Sequence, residues 1–284
     1  MPTVHSRIAA ARQRLRDAGL SSREADLAAR VLAEHALGWA AERLLTDGGD
    51  AEPADFASRF DALVARRAAR EPLPYIVGHR EFWNLDFEVT PAVLIPRPET
   101  ELIVEAALDI VAPGADATIA DLCTGCGCVA IALARERPLA RVIATDISEG
   151  ALAVARRNAR RLGVADRIEI LNGDLLEPIT GTCDVIVANP PYVAAGVRPA
   201  LQPEVRDHEP NLALFGGDDG LGMIERLVRD APARIRAGGS LVFEFGFGQD
   251  EEIEQMIAQS RDLTLIDLKR DLQGIARTAI TRRR

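Results

Sequence analysis

The hydrophobic positions change rhythm twice along the chain. Over residues 1–71 apolar residues return at helical spacing in a background rich in Ala, Leu and Arg. Ser21 and Glu24 form a capping-box pattern ahead of Ala25-Asp-Leu-Ala-Ala-Arg-Val-Leu-Ala-Glu-His-Ala-Leu37, and Gly38 closes that run. Asp50-Ala-Glu-Pro53 opens a further helix that runs toward Arg70. This part predicts a small bundle of four or five helices. At Glu71-Pro-Leu-Pro74 the composition shifts. Tyr75-Ile-Val-Gly-His-Arg-Glu-Phe-Trp83 and Leu85-Asp-Phe-Glu-Val89 carry alternating and aromatic residues, with Gly78 and Asn84 at the breaks, and predict a β-hairpin. Pro91, Pro96 and Pro98 then punctuate a short stretch before a helix from about Glu99 to Ile110.

From Ala117 the rhythm becomes strand, loop, helix, repeated. The apolar runs are Thr118-Ile-Ala-Asp-Leu122, Arg141-Val-Ile-Ala-Thr145, Ile168-Glu-Ile-Leu171, Asp184-Val-Ile-Val-Ala188 and Ser240-Leu-Val-Phe-Glu-Phe245. Helical segments such as Gly150 to Leu162 lie between most of them. Such alternation implies an α/β fold with a mostly parallel, doubly wound sheet. Residues after Leu263 supply two final strands, ending in Ala276-Arg-Thr-Ala-Ile-Thr281.

Composition narrows the chemistry. A chain of 284 residues buries enough apolar surface to fold without disulfide or metal staples. No apolar run approaches the ~20 residues of a membrane helix. The N-terminus has no apolar signal core and is not acid-poor, so a cytoplasmic protein is expected. The formal charge of −9 is uneven. Residues 1–80 hold 12 Arg against 11 Asp and Glu, whereas the rest holds 22 Lys and Arg against 32 Asp and Glu. An acidic α/β part argues against a duplex nucleic acid as partner, since such partners meet a basic face. Cys123, Cys126 and Cys128 cluster within six residues and Cys183 stands apart. The scattered histidines (His5, His35, His79, His208) complete no ligand set, so no metal site is expected, and the thiols read as small residues filling a turn.

Two stretches carry candidate chemistry. The first strand ends in Asp121-Leu-Cys-Thr-Gly-Cys-Gly-Cys128 and runs straight into a helix. Gly125 and Gly127 let the backbone turn sharply and approach a ligand. The second strand ends at Asp146, where a carboxylate can accept from ribose hydroxyls. The dinucleotide fingerprint needs a third glycine where Ala130 stands, so the loop suits a nucleoside-type cofactor without a phosphate to cradle, as in adenosylmethionine. The fourth strand ends in Asn189-Pro-Pro-Tyr192. Its prolines stiffen an extended path past the strand and place two acceptors, the Asn189 side chain and the Pro190 carbonyl, at the ligand edge of the sheet. Tyr192 offers a flat wall. An NH₂ group on a planar π system is a weak nucleophile. Two acceptors on its hydrogens would orient the nitrogen and stabilise the positive charge that develops there, without a nucleophilic Cys or a strong base.

Taken together these segments resemble the HemK/PrmC family of protein-(glutamine-N5) methyltransferases, which modify the Gly-Gly-Gln motif of peptide-chain release factors. Val93-Leu-Ile-Pro-Arg-Pro-Glu-Thr-Glu101 resembles the family's PRPETE motif, Asp121 to Gly127 its cofactor loop, and Asn189 to Tyr192 its substrate tetrapeptide. Further family blocks resemble Glu204 to Pro210, Ala213 to Leu221, Glu244 to Gln249 and Asp271 to Arg277. The resemblance implies a class I, Rossmann-like methyltransferase with a mostly parallel seven-stranded sheet, using S-adenosyl-L-methionine. It implies a helical domain over 1–72 that binds the release factor, a β-hairpin linker over 73–97 and a catalytic domain over 98–284, acting as a monomer. By position, Cys123, Thr124, Gly125, Cys126 and Gly127 would cradle the methionine part, Asp146 the ribose, and Asp174 and Leu175 the adenine, with Asn189 close by. Leu94, Asn189, Pro190, Pro191 and Tyr192 would wall the glutamine pocket, and Asn189, Pro190 and Tyr192 would carry the catalysis.

The chain departs from the family loop at Cys123, where a glycine is usual, and at Cys126, where a serine is usual. A side chain at Cys123 is expected to require an ordinary φ or a slightly shifted backbone. Three other readings stay open. The sibling enzymes that modify a ribosomal-protein glutamine carry Pro-Arg-Ser-Pro where this chain has Pro96-Arg-Pro-Glu99. A methyltransferase of nucleic-acid amino groups shares the tetrapeptide but would need a basic cleft. A nicotinamide-binding oxidoreductase or a non-catalytic nucleotide-binding module would be favoured by a preference for NAD over adenosylmethionine.

Overall fold

Residues 2–78 together with 202–208 form one unit, and residues 79–201 with 209–284 a second, in a computed structural model that describes residues 2–284. The first unit holds α1 (Val4–Asp17), α2 (Ser22–Leu37), α3 (Ala41–Asp47), α4 (Phe56–Ala68) and α5 (Leu73–Val77). The capping box read at Ser21 and Glu24 forms, with the Ser21 N–H donating to Glu24 Oε2 at 3.0 Å. Gly38 closes α2 in the left-handed conformation, φ +64°. Ile8, Leu15, Leu32, Phe56 and Phe60 are buried together, and the Phe56 and Phe60 rings stack 5.0 Å apart.

Two features of this unit depart from the sequence reading. Residues 73–77, where the sequence predicts the start of the hairpin linker, are helical. Pro74 stands in the first turn, where a missing N–H costs nothing, and Gly78 closes the turn at φ +85°. The helical unit therefore runs past residue 72, and the strands begin only at His79. The unit also takes in a short helix from far downstream, Pro203–His208. Its Glu204 accepts from Arg67 at 2.8 Å and from Arg70 at 2.7 Å, and Arg67 is buried.

The second unit opens with the hairpin β1 (His79–Phe82) and β2 (Leu85–Glu88), joined through Trp83 and Asn84. Positive φ at both residues, 53° and 54°, is the signature of a two-residue type I′ turn. The hairpin is pinned to its own unit: the Trp83 N–H donates to Glu101 at 2.8 Å, and Asn158 bonds the Glu88 backbone on both sides. Next come α6 (Glu101–Ile110), β3 (Thr118–Leu122), α7 (Cys128–Glu136), β4 (Arg141–Asp146), α8 (Glu149–Arg161), β5 (Ile168–Asn172) and β6 (Cys183–Ala188). After the excursion through α9 (Pro203–His208), the chain continues as α10 (Asn211–Leu214), α11 (Gly222–Asp230), β7 (Ile235–Glu244), α12 (Asp250–Gln259), β8 (Leu263–Arg270) and β9 (Ala276–Arg283).

The seven strands lie in the order β5-β4-β3-β6-β7-β9-β8. All neighbours are parallel except β9, which is antiparallel to both β7 and β8. Helices cover both faces of a parallel sheet, which is why its inner strands are almost continuously apolar. The strand order reverses between β3 and β6, and this switch point is where open α/β sheets bind ligands. The carboxyl ends of β3, β4, β6 and β7 thus deliver Asp121, Asp146, Asn189 and Glu244 to one edge. Among the described residues no helix is long and apolar enough to cross a membrane.

Candidate active site

The turn after β3 is built from crossing hydrogen bonds. The Thr124 N–H donates to the Thr145 carbonyl at 3.0 Å, the Gly125 N–H to Asp146 Oδ2 at 2.9 Å, and the Gly127 N–H to the Thr124 carbonyl at 2.8 Å. Asn158, wholly buried, donates to the Cys126 carbonyl at 2.9 Å. This frame holds Cys123 at φ +57°. The expectation of an ordinary φ there is overturned. The left-handed conformation costs a non-glycine residue about 1–2 kcal/mol, and it persists because the bonds on either side determine the path. Gly125 and Gly127 share this region, at φ +56° and +84°. A Cβ on Gly127 would also come within 3.1 Å of Ile131 and 3.2 Å of Ala155. Cys126 and Cys128 are buried, and burial pushes the Cys123 thiol far up, so it stays neutral.

Asp121 is almost completely buried and accepts from the Thr124 hydroxyl at 2.6 Å and from the Ala130 N–H at 3.1 Å. Burial outweighs these bonds and raises its pKa to about 7. Asp146 accepts from the Gly125 and Ser148 N–H groups, and burial raises it too. Asp174 is paired with Arg226 at 2.7 Å. Leu175 beside it has φ +50°, and its carbonyl accepts from the Thr145 hydroxyl.

At the end of β6, Asn189 Nδ2 donates to Thr100 Oγ1 at 3.0 Å, which leaves Oδ1 as the side chain's acceptor. Thr100 donates in turn to Glu244 Oε2 at 2.7 Å, and the Tyr192 hydroxyl donates to Glu244 Oε1 at 2.7 Å. Glu244 is buried, which raises its pKa. The chain beyond Tyr192 is stitched to the loop after α10: the Val193 N–H donates to Leu214 at 2.9 Å, the Gly216 N–H to Val193 at 3.0 Å, and the Ala195 N–H to Gly217 at 3.0 Å. Arg97 is held by the buried Glu209 at 2.5 Å, tying the proline-rich stretch to the same loop region.

These elements enclose a cavity of about 300 Å³, within the range of small-molecule sites. Of the residues expected from sequence, Leu94, Cys123, Thr124, Gly125, Cys126, Asp146, Asp174, Leu175, Asn189 and Pro191 line it. Gly127, Pro190 and Tyr192 do not. Gly127 shapes the turn from behind. Pro190 is buried, and Tyr192, expected as a wall, is an anchor whose hydroxyl is committed to Glu244. Sequence reading passed over Thr100, Asp121 and Arg226, which line the cavity, and Glu244, which does not. The threonine and both acids stood within the motifs already quoted, but nothing local reveals where their side chains point.

A doubly wound sheet of this order, with a glycine turn, a strand-end aspartate and an Asn-Pro-Pro-Tyr corner around one cavity, defines a class I methyltransferase. Residues 8–78 match the family described as the PrmC N-terminal domain, and residues 100–203 the methyltransferase small domain. A release factor glutamine methyltransferase of Cereibacter sphaeroides is 44% identical over 93% of this chain and 93% of its own. One from Streptomyces coelicolor is 40% identical over 92% and 91%. The chain belongs to the release factor glutamine methyltransferase family. Among solved structures, a methyltransferase from Pyrococcus furiosus matches with a TM-score of 0.53 over 79% of this chain and 98% of its own; at 19% identity the likeness is one of fold.

Proposed function

We propose that this enzyme transfers the methyl group of S-adenosylmethionine to the side-chain amide nitrogen of the glutamine in the Gly-Gly-Gln motif of peptide-chain release factors. The observation that carries the reading is that Asn189 lines the same cavity as the glycine turn, with its NH₂ committed to Thr100 and its Oδ1 left to accept. The cavity chemistry suits this cofactor. Asp121 and Asp146 line it without a basic partner among the described residues, which favours a cationic ligand over a dinucleotide phosphate.

Bound adenosylmethionine supplies an electrophilic methyl on a positively charged sulfur. The turn from Cys123 to Gly127 would hold its amino-acid part through the backbone, Asp146 would accept from the ribose hydroxyls, and Asp174 and Leu175 would border the adenine. Asn189 Oδ1 would accept one hydrogen of the substrate amide, and the carbonyl of Pro190, a residue that does not line the cavity, would take the other as the amide seats. Together they would aim the nitrogen at the methyl and stabilise the positive charge that develops on it as the N–C bond forms and the S–C bond breaks. The extra proton leaves the nitrogen for water after transfer. Leu94 and Pro191 supply the apolar walls, and the helical unit binds the body of the release factor.

The test is to incubate the enzyme with labelled adenosylmethionine and purified release factors, then map the label by mass spectrometry. Label on the Gly-Gly-Gln glutamine is expected; label elsewhere, or none, rejects the reading. Asn189→Ala is expected to abolish transfer while adenosylmethionine affinity changes by only about threefold, because one hydrogen-bond acceptor for the substrate is lost and the cofactor turn is untouched. Turnover of that variant within a few-fold of the parent enzyme refutes the mechanism.

A further inference from the structure

Glu244 sits at the end of β7, 1% exposed, and belongs to neither the glycine turn nor the tetrapeptide. Yet its two oxygens engage both ends of that tetrapeptide, Tyr192 directly and Asn189 through Thr100. We infer that Glu244 is a positioning residue for methyl transfer, dictating through Thr100 which way round the Asn189 carboxamide sits. The inference rests on the role proposed for Asn189.

The argument is one of hydrogen-bond direction. Both Glu244 oxygens accept, Oε1 from the Tyr192 hydroxyl and Oε2 from Thr100, so the single proton of the Thr100 hydroxyl goes to Glu244. What Thr100 can then show Asn189 is a lone pair, and only the NH₂ end of a carboxamide satisfies a lone pair. Oδ1 is thereby turned the other way, where it can accept from a substrate amide. Reversed, Asn189 would set an NH₂ against the substrate NH₂, donor against donor. Thr100 is only 2% exposed, and its hydroxyl lies between its two partners. Among charged neighbours, Arg277 favours the ionised form of Glu244 and Glu99 opposes it. The second oxygen acts at the far end of the motif, where the Tyr192 hydroxyl donates to Oε1 and holds the exit of the stiff Pro-Pro corner. No member of the relay other than Asn189 needs to touch the substrate.

The test uses the full-length enzyme with a release factor as substrate. Thr100→Val keeps the shape and removes the hydroxyl; Thr100→Ser restores it. Glu244→Gln presents an NH₂ to one of the two hydroxyls, so one end of the tetrapeptide loses its acceptor. Thr100→Val and Glu244→Gln are expected to lower kcat roughly 10- to 100-fold, the range that misorientation of a reacting group costs. The adenosylmethionine Kd should stay within about threefold, as no cofactor contact is removed, and Thr100→Ser should hold kcat within about threefold of the parent, since the relay is intact. Thermal melting of each variant reports its fold. Parental kcat in Thr100→Val and Glu244→Gln overturns the inference. So does a Thr100→Ser as impaired as Thr100→Val, which would point to packing, and so does a loss of cofactor affinity in step with kcat. Asn189→Ala, assayed alongside, separates the two levels. If it is inactive while the Thr100 and Glu244 variants are normal, only the relay fails; if it is active, the functional reading fails and the relay with it.

Discussion

Gly220→Ala probes how firmly the Asn-Pro-Pro-Tyr corner is held. Gly220 has φ +82°, and a Cβ built on it would lie 2.2 Å from the Tyr192 carbonyl oxygen, 2.9 Å from the Tyr192 carbonyl carbon and 3.0 Å from the Ala194 nitrogen. All three are backbone atoms, so no rotamer change relieves the clash. A carbon meets a carbonyl oxygen comfortably at ~3.3 Å, so one of the two chains must move by about 1 Å. Displacement of a reacting group by that distance costs about 100-fold in rate. Gly217, three residues earlier, is the control. Its φ of +109° strains an alanine as much or more, but nothing lies within 4 Å of its Cβ position. Both substitutions should lower the melting temperature, by about 2–4 °C for each kcal/mol of strain. Only Gly220→Ala should cut kcat by about two orders of magnitude, with the adenosylmethionine Kd nearly unchanged. Steady-state kinetics with a release factor, calorimetric titration of the cofactor and thermal melting give the three readings. Turnover of Gly220→Ala within threefold of the parent, or an equal loss in Gly217→Ala, would refute the claim that the close packing at Gly220 sets the position of the tetrapeptide.

Two further outcomes follow from buried charge. Asp121, with a pKa raised to about 7 by burial, is largely protonated below that pH in the free enzyme. A cationic ligand prefers the carboxylate, so adenosylmethionine affinity should rise as pH passes upward through about 7, and Asp121→Asn should flatten that rise; titration from pH 6 to pH 8.5 checks it, and an unaltered slope in the variant rejects it. In the helical unit, Glu204→Ala would strand the buried Arg67 guanidinium and should destabilise that unit by about 3–5 kcal/mol, measured by urea denaturation. A loss below about 1 kcal/mol would make this a surface-type ion pair of little weight.

The alternation of apolar runs was enough for the α/β class, because a parallel sheet buried on both faces needs those runs and a helical bundle needs a 3.6-residue period. Gly125, Asp146 and Asn189 could be named from sequence because each is tied to a strand end, and strand ends meet at the switch point of such a sheet. The parts that were not legible depend on bonds between distant residues. Whether residues 73–77 join a hairpin or a helix depends on what each can pack against. The helix Pro203–His208 joins the N-terminal unit because Glu204 meets two arginines more than 130 residues away. The left-handed Cys123 is imposed by neighbours on β4 and α8, against the preference of its own side chain. The relay from Glu244 to Asn189 spans sequence separations of 144 and 89 residues. Sequence by itself determined which residue types arrive at the sheet edge, since strand period and turn chemistry are local. Only the tertiary structure decided which way their side chains turn, because a hydrogen bond's direction belongs to both partners and the second partner lies on another strand.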